Sequence, residues 1–142
     1  MGSLPITTRE LLIGDYGAVV TLWNSAEGVD ICEGDAESDV RGYFERNPSL
    51  SRIALEKGDV VGAALCGHDG RRGYIYHLAV APTHRGRGIA KRLVDECIDG
   101  LRRAGVPRAI ILVANENATG RSFWERNGWE VIDGAVPMTR EV

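Results

Sequence analysis

Tyr74-Ile75-Tyr76-His77-Leu78-Ala79-Val80-Ala81-Pro82-Thr83-His84-Arg85-Gly86-Arg87-Gly88-Ile89-Ala90 decides how the rest of the chain is read. Its first seven residues have apolar character on both faces, as in a central strand covered from both sides, and Pro82 ends the run. From about Gly86 to Ala104 the period changes. Ile89, Leu93, Val94, Cys97, Ile98 and Leu101 recur at helical spacing, with Lys91, Arg92, Asp95, Glu96 and Asp99 facing outward. Gly105 and Pro107 stop this helix. A strand, a glycine-rich turn and a long helix in succession are a building unit of a layered α/β sheet.

The junction carries the chemistry. A helix start has unpaired N–H groups and partial positive charge, and normally recruits Asp, Glu or Ser. Here His84, Arg85, Arg87, Lys91 and Arg92 crowd it, and no acid stands between Pro82 and Asp95. Without a ligand such a crowd repels itself, at about 0.3–1 kcal/mol per charge. With a polyanion bound, the dipole, the backbone donors and the guanidinium groups act in one direction. Gly86 and Gly88 let the backbone approach phosphate oxygens closely. The segment therefore reads as a pyrophosphate site, while a flexible Gly/Arg loop on a solvated helix end is the alternative it leaves open. Other glycine-rich motifs fail on spacing: the dinucleotide fingerprint needs a third glycine where Lys91 stands, and the P-loop needs Gly-Lys-Ser/Thr.

Upstream, Leu4 to Arg9 reads as a first strand, and Gly14-Asp15 starts a helix whose apolar face is Val19, Val20, Leu22 and Trp23, through about Ser25. Residues 26–39 carry Glu27, Asp30, Glu33, Asp35, Glu37 and Asp39 and no base. Ser38 or Asp39 is placed to cap a second helix, which Asn47-Pro48 ends. The apolar runs Ser51–Glu56 and Val60–Cys66 flank Lys57-Gly58-Asp59 as a hairpin. Downstream, Ala109–Val113 is an apolar strand, and Asn117 caps a helix that runs to about Asn127. Trp129–Ile132 and Val136–Thr139 pair around Gly134. About seven strands and four helices predict an α/β fold, with a mixed central sheet and helices on both faces, in one domain over residues 4–142.

The 142 residues, 44% apolar and 26% charged, suit one globular domain large enough to bury a core. No apolar run is long enough to span a membrane. The opening Met1-Gly2-Ser3-Leu4-Pro5 lacks the regions of a signal peptide, so the expected location is cytoplasmic. An odd set of three cysteines, Cys32, Cys66 and Cys97, fits reduced thiols serving as small hydrophobes. Cys66, His68, His77 and His84 lack paired zinc-ligand spacing, so no metal is expected. Residues 1–70 hold 12 acids and 5 bases and residues 71–142 hold 12 bases and 8 acids, balances of −7 and +4. That asymmetry points to two surfaces of opposite sign and is too small for a nucleic-acid footprint.

Two motifs carry a resemblance. Arg85, Gly88 and Ala90 form Arg-x-x-Gly-x-Ala after a strand ending Leu78-Ala79-Val80-Ala81-Pro82. Asn117, followed by Phe123-Trp124 and Asn127-Gly128-Trp129, is similar to an Asn…Leu-Tyr-Glu-Lys-x-Gly-Phe segment. From about residue 5 to 140 the chain resembles the GNAT superfamily of N-acetyltransferases, in particular the small bacterial YpeA-like and ribosomal-protein N-terminal acetyltransferase-like members. The resemblance implies the GNAT fold and acetyl-CoA as co-substrate. It implies that the backbone of Leu78, Ala79 and Val80 pairs with the pantetheine arm, one N–H polarising the thioester carbonyl. Arg85, Gly86, Arg87, Gly88, Ile89 and Ala90 would hold the diphosphate, Asn117 would hydrogen-bond the pantetheine end, and Trp124 would shape the pocket or serve as core packing. Many members carry a Tyr at position 124 that protonates the departing thiolate. An indole does not, but with a thiol reference pKa of about 8.5 water suffices for that step.

The implied reaction is direct attack of a neutral primary amine on the thioester within a ternary complex. Tyr74 stands where several relatives carry Glu, which leaves His77 and Glu33 as candidate bases. A lone His in an apolar strand is more often a satisfied core residue than a base, and most charges of the acidic stretch around Glu33 are merely solvated. At pH 7 an α-amine is neutral about 10–15% of the time and a lysine amine about 0.04%, so a site without a strong base favours the former. The acidic stretch falls where relatives build the acceptor wall and would attract a peptide N-terminus, lysine, polyamine or aminoglycoside. A catalytically silent acyl-CoA-binding sensor or interaction module of the same fold is the second reading. A monomer or homodimer, with no nucleic-acid or membrane partner, fits either.

Overall fold

Lys57 and Gly58 both take positive φ, 50° and 81°, the backbone of a tight turn whose twist suits the strands it joins. They connect β2 (Arg52–Glu56) to β3 (Asp59–His68), the hairpin read from the sequence. The computed structural model describes residues 5–26 and 28–142 and divides after Leu112 into two units. Leu4 and Glu27 lie outside the described residues. In the first unit β1 (Ile6–Glu10), β2, β3, β4 (Gly73–Val80) and β5 (Ala109–Ile110) form one five-stranded sheet in that order. All pairs are antiparallel except β4–β5. Helices α1 (Tyr16–Ser25) and α2 (Glu37–Arg46) connect β1 to β2, and α3 (Ile89–Arg103) connects β4 to β5.

Successive strand residues point to opposite faces, so β3 sorts the helices. A Cβ added at Gly62 would meet Ile89 and Leu93 of α3 at 3.0 and 3.1 Å, and the Cys66 thiol lies 4.0 Å from the carbonyl of Cys97. The intervening Ala63 and Leu65 pack with Val19, Leu22 and Trp23 of α1. Gly67 lies beneath Tyr43 and Asn47 at the end of α2. One face therefore belongs to α3 and the other to α1 and α2, as the two-faced apolar pattern requires. Glu96 fixes where α3 sits: it accepts hydrogen bonds from Thr8 on β1 (2.8 Å), Arg52 on β2 (3.0 Å) and Arg92 (3.2 Å).

Several boundaries differ from the sequence reading. Ala36, not Ser38 or Asp39, occupies the N-cap of α2, and Glu37 and Asp39 sit in its first turn, where carboxylates favour the helix dipole. Gly86 and Gly88 both have φ of 76°, which a right-handed helix does not accommodate, so α3 begins at Ile89 rather than Gly86. The strand expected over Ala109–Val113 shrinks to two residues. The second unit contains α4 (Ala118–Arg126), and among its described residues Trp129–Ile132 and Val136–Thr139 form no strands. The sheet thus has five strands where about seven were expected. β-branched residues specify a strand only where a partner edge is present, and Val131, Ile132, Val136 and Met138 are exposed. Cys66 and Cys97 are buried as expected of small hydrophobes, and the neighbouring Cys66 thiol and burial hold the Cys97 thiol far above its usual range. Cys32 is exposed, contrary to that expectation. No described helix is long and apolar enough to cross a membrane.

Candidate functional site

The start of α3 combines the two glycines with a helix end. Gly88 is its N-cap in the left-handed conformation and contributes no capping side chain, and the first turn holds no acid. A Cβ placed at Gly86 or Gly88 would touch nothing within 4 Å. These glycines are thus needed for their backbone angles, and the space beside them is open. The first N–H groups of α3 lack intrahelical acceptors by geometry. Arg85, Gly86, Arg87 and Gly88 are exposed, whereas Ile89 turns into the core.

Four of the surrounding cations, His84, Arg87, Lys91 and Arg92, have acidic partners, so the crowd repels itself less than the sequence suggested. Glu56, the last residue of β2, accepts from Arg87 Nη1 at 3.0 Å and pairs with His84 Nε2 at 3.2 Å. His84 and then Arg87 hold the Glu56 carboxyl below the usual glutamate range. Lys91 and Arg92 pair with Asp95 and Glu96 one turn along. No local signal identifies Glu56, because the hairpin delivers it from 31 residues upstream of Arg87.

Two features of β4 lie immediately before this loop. β5 pairs with β4 only at Gly73 and Tyr74, so Leu78, Ala79 and Val80 have no sheet partner on that edge among the described residues. On its other edge the register slips: Ala63 faces Ala79 and Leu65 faces Tyr76, which puts His77 and Leu78 opposite Ala64 alone. This is a β-bulge, a device that re-aims side chains beside functional sites. His77 there has φ of 50°.

The bulge directs His77 toward the acidic connection between α1 and α2. Its Nε2 lies 2.7 Å from Oδ2 of Asp35, and its ring stands edge-on to Trp23 with centroids 4.9 Å apart. Asp35 is the buried carboxylate of that connection, its side chain 8% exposed. Its Oδ2 also accepts the Cys32 backbone N–H at 3.0 Å, and Tyr16 Oη donates to its carbonyl at 2.6 Å. Cys32, Asp35 and His77 form a group with donor atoms within 4.8 Å of one another. The 2.7 Å contact is a hydrogen-bond length, however, and two ligands of one tetrahedral zinc stand about 3.4 Å apart. A shared proton fits this geometry, and a metal does not.

Of the candidate bases, His77 acquires a fixed partner, whereas Glu33 is exposed and makes no hydrogen bond or ion pair among the described residues. Tyr74 stacks on Tyr76, with ring centroids 5.9 Å apart. Asp35 was indistinguishable in the sequence from the other acids of its loop. In the second unit Asn117 Oδ1 accepts from Gly120 N at 2.9 Å and caps α4. Trp124 packs edge-on against Phe123 and Trp129, with centroids 5.2 and 5.0 Å away.

Comparison with known proteins agrees with this architecture. The acetyltransferase (GNAT) family model matches residues 17–129. An acetyltransferase of Pectobacterium atrosepticum is 34% identical over 121 residues, covering 84% of each chain. One of Sodalis glossinidius is 34% identical over 130 residues, covering 90% of this chain and 89% of its own. The crystal structure of the PaiA N-acetyltransferase from Thermoplasma acidophilum, in complex with coenzyme A, aligns at a TM-score of 0.81 and 19% identity over 93% of this chain and 94% of that one. That likeness is one of fold. With a family model running from α1 beyond α4, and relatives a third identical along most of both chains, the chain belongs to the acetyltransferase (GNAT) family.

Proposed function

We propose that the protein transfers the acetyl group of acetyl-CoA to the nitrogen of a primary amine, with both substrates bound together. The observation that carries this reading is the start of α3: two left-handed glycines with open space beside them, a first turn without acids, and Arg85 and Arg87 alongside. Free N–H groups and guanidinium groups there suit a diphosphate. The unpaired edge of β4 at Leu78, Ala79 and Val80 is where an extended amide chain such as pantetheine would add as a strand. An N–H at that edge would stabilise the tetrahedral oxyanion. Asn117 uses Oδ1 for its cap, and its side chain makes no other hydrogen bond among the described residues. On the motif alone, its amide N–H groups would donate to the pantetheine end and Trp124 would belong to the cofactor pocket.

Release of CoA from acetyl-CoA, measured with an alanine-initiated peptide, a lysine peptide, spermidine and an aminoglycoside, tests the reading. Acceptor-dependent release is expected. Acetyl-CoA binding without turnover on any acceptor would leave only the silent acyl-CoA module. A further result is expected from Glu56→Gln, which removes a negative charge from beside Arg87 and His84. Calorimetry should give acetyl-CoA affinity about 2- to 5-fold tighter at low salt, and the gain should vanish at high salt, as for exposed charges.

A further inference from the structure

Building on that reading, we infer that His77 removes the proton from the incoming ammonium through Nδ1, and that Asp35 is the positioning residue that makes it able to do so. Oδ2 of Asp35 accepts from the Cys32 backbone N–H, a group that can only donate, and lies 2.7 Å from His77 Nε2. A carboxylate is acceptor-only, so Nε2 carries the ring proton and Nδ1 carries the lone pair. Nδ1 has no hydrogen-bond partner among the described residues, and the side chain is 17% exposed. Trp23 holds the ring edge-on, and the bulge keeps the backbone at φ of 50°, a conformation a histidine adopts seldom and at some cost. Three elements thus converge on one ring orientation: α1 through Trp23, the acidic connection through Asp35, itself held by the Cys32 N–H, and the bulged backbone of β4.

The protons balance. Nδ1 takes one proton from the ammonium, and the freed amine attacks the thioester carbonyl carbon, forming the C–N bond. Collapse of the tetrahedral intermediate breaks the C–S bond. The departing CoA thiolate receives the second nitrogen proton through water, and the imidazolium returns its proton to solvent.

The test compares an amine that arrives protonated with a nucleophile that does not. Spermidine and an alanine-initiated peptide serve as the first kind, and hydroxylamine, neutral at pH 7, as the second. His77→Asn suits the site because Asn tolerates positive φ and offers no basic nitrogen. It should lower kcat for the amines by about 10²- to 10⁴-fold, with acetyl-CoA affinity unchanged. The ratio of amine to hydroxylamine turnover should fall by at least about 10²-fold. Asp35→Asn, whose amide favours the opposite tautomer, should move the same ratio in the same direction. In ¹⁵N-histidine-labelled protein, Nε2 should carry the proton in the wild type, and this preference should be lost in Asp35→Asn. An active wild type whose ratio is unchanged in His77→Asn, or whose Nδ1 carries the proton, overturns the inference alone. A folded wild type that binds acetyl-CoA and acetylates no probe overturns the transferase reading and this inference together.

Discussion

Gly88→Glu is expected to abolish acetyl-CoA binding up to millimolar concentration in calorimetry, while the protein remains folded by circular dichroism. A Cβ at Gly88 meets no atom within 4 Å, so the side chain leaves the backbone into open space. The cost is the left-handed backbone at φ of 76°, about 1–2 kcal/mol for a residue with a Cβ, which a domain of ordinary stability tolerates. The effect on the ligand is far larger. The carboxylate stands where the free N–H groups of α3 would meet diphosphate oxygens, so like charges meet and charge-assisted hydrogen bonds worth about 1.5–3 kcal/mol each are lost. Gly88→Asn separates charge from shape: Asn tolerates the angle and is neutral, and it should weaken binding by no more than about 10-fold. Equal affinity of wild type and Gly88→Glu would remove the start of α3 as the cofactor site.

How much of this was legible in the sequence depends on how far apart the cooperating residues lie. The strand, glycine turn and helix from Tyr74 to Arg103 are signalled locally, by apolar period and by Gly86 and Gly88, and they occur where expected within a few residues. The hairpin at Lys57-Gly58 is equally local. Glu56 and Asp35 are not. Each is one acid among many until the sheet order puts β2 beside β3 and the bulge aims His77 at the connection between α1 and α2. The bulge itself leaves no mark in the apolar pattern, because Tyr76, His77 and Leu78 read as an ordinary strand. The pair of C-terminal strands failed in the opposite sense. Val131, Ile132 and Val136 have the composition of strands, yet composition states only what a residue prefers when an edge is offered to it.

Trp23→Ala should be the most damaging single core substitution, and its consequences should reach the site. Trp23 is 1% exposed and packs with Val19 and Leu22 of its own helix and Ala63 and Leu65 of β3. Truncation of such a side chain costs about 3–5 kcal/mol through lost burial and the cavity left behind, a large part of the about 5–15 kcal/mol that holds a domain together. Its buried Nε1 has no hydrogen-bond partner among the described residues, and Trp23→Phe should cost much less, about 1–2 kcal/mol. In urea the midpoint for Trp23→Ala should fall by about 2 M, given slopes of about 1–3 kcal/mol per molar. The ring also forms the wall against which His77 stands edge-on. At a temperature where the variant is still folded, turnover of an amine should therefore fall more than acetyl-CoA affinity, because the diphosphate site at the start of α3 lies on other residues. A Trp23→Ala protein with wild-type unfolding midpoint would mean that the α1 face of the sheet is not packed as described. One that is destabilised but keeps full kcat would mean that the Asp35 hydrogen bond alone is enough to hold the His77 ring.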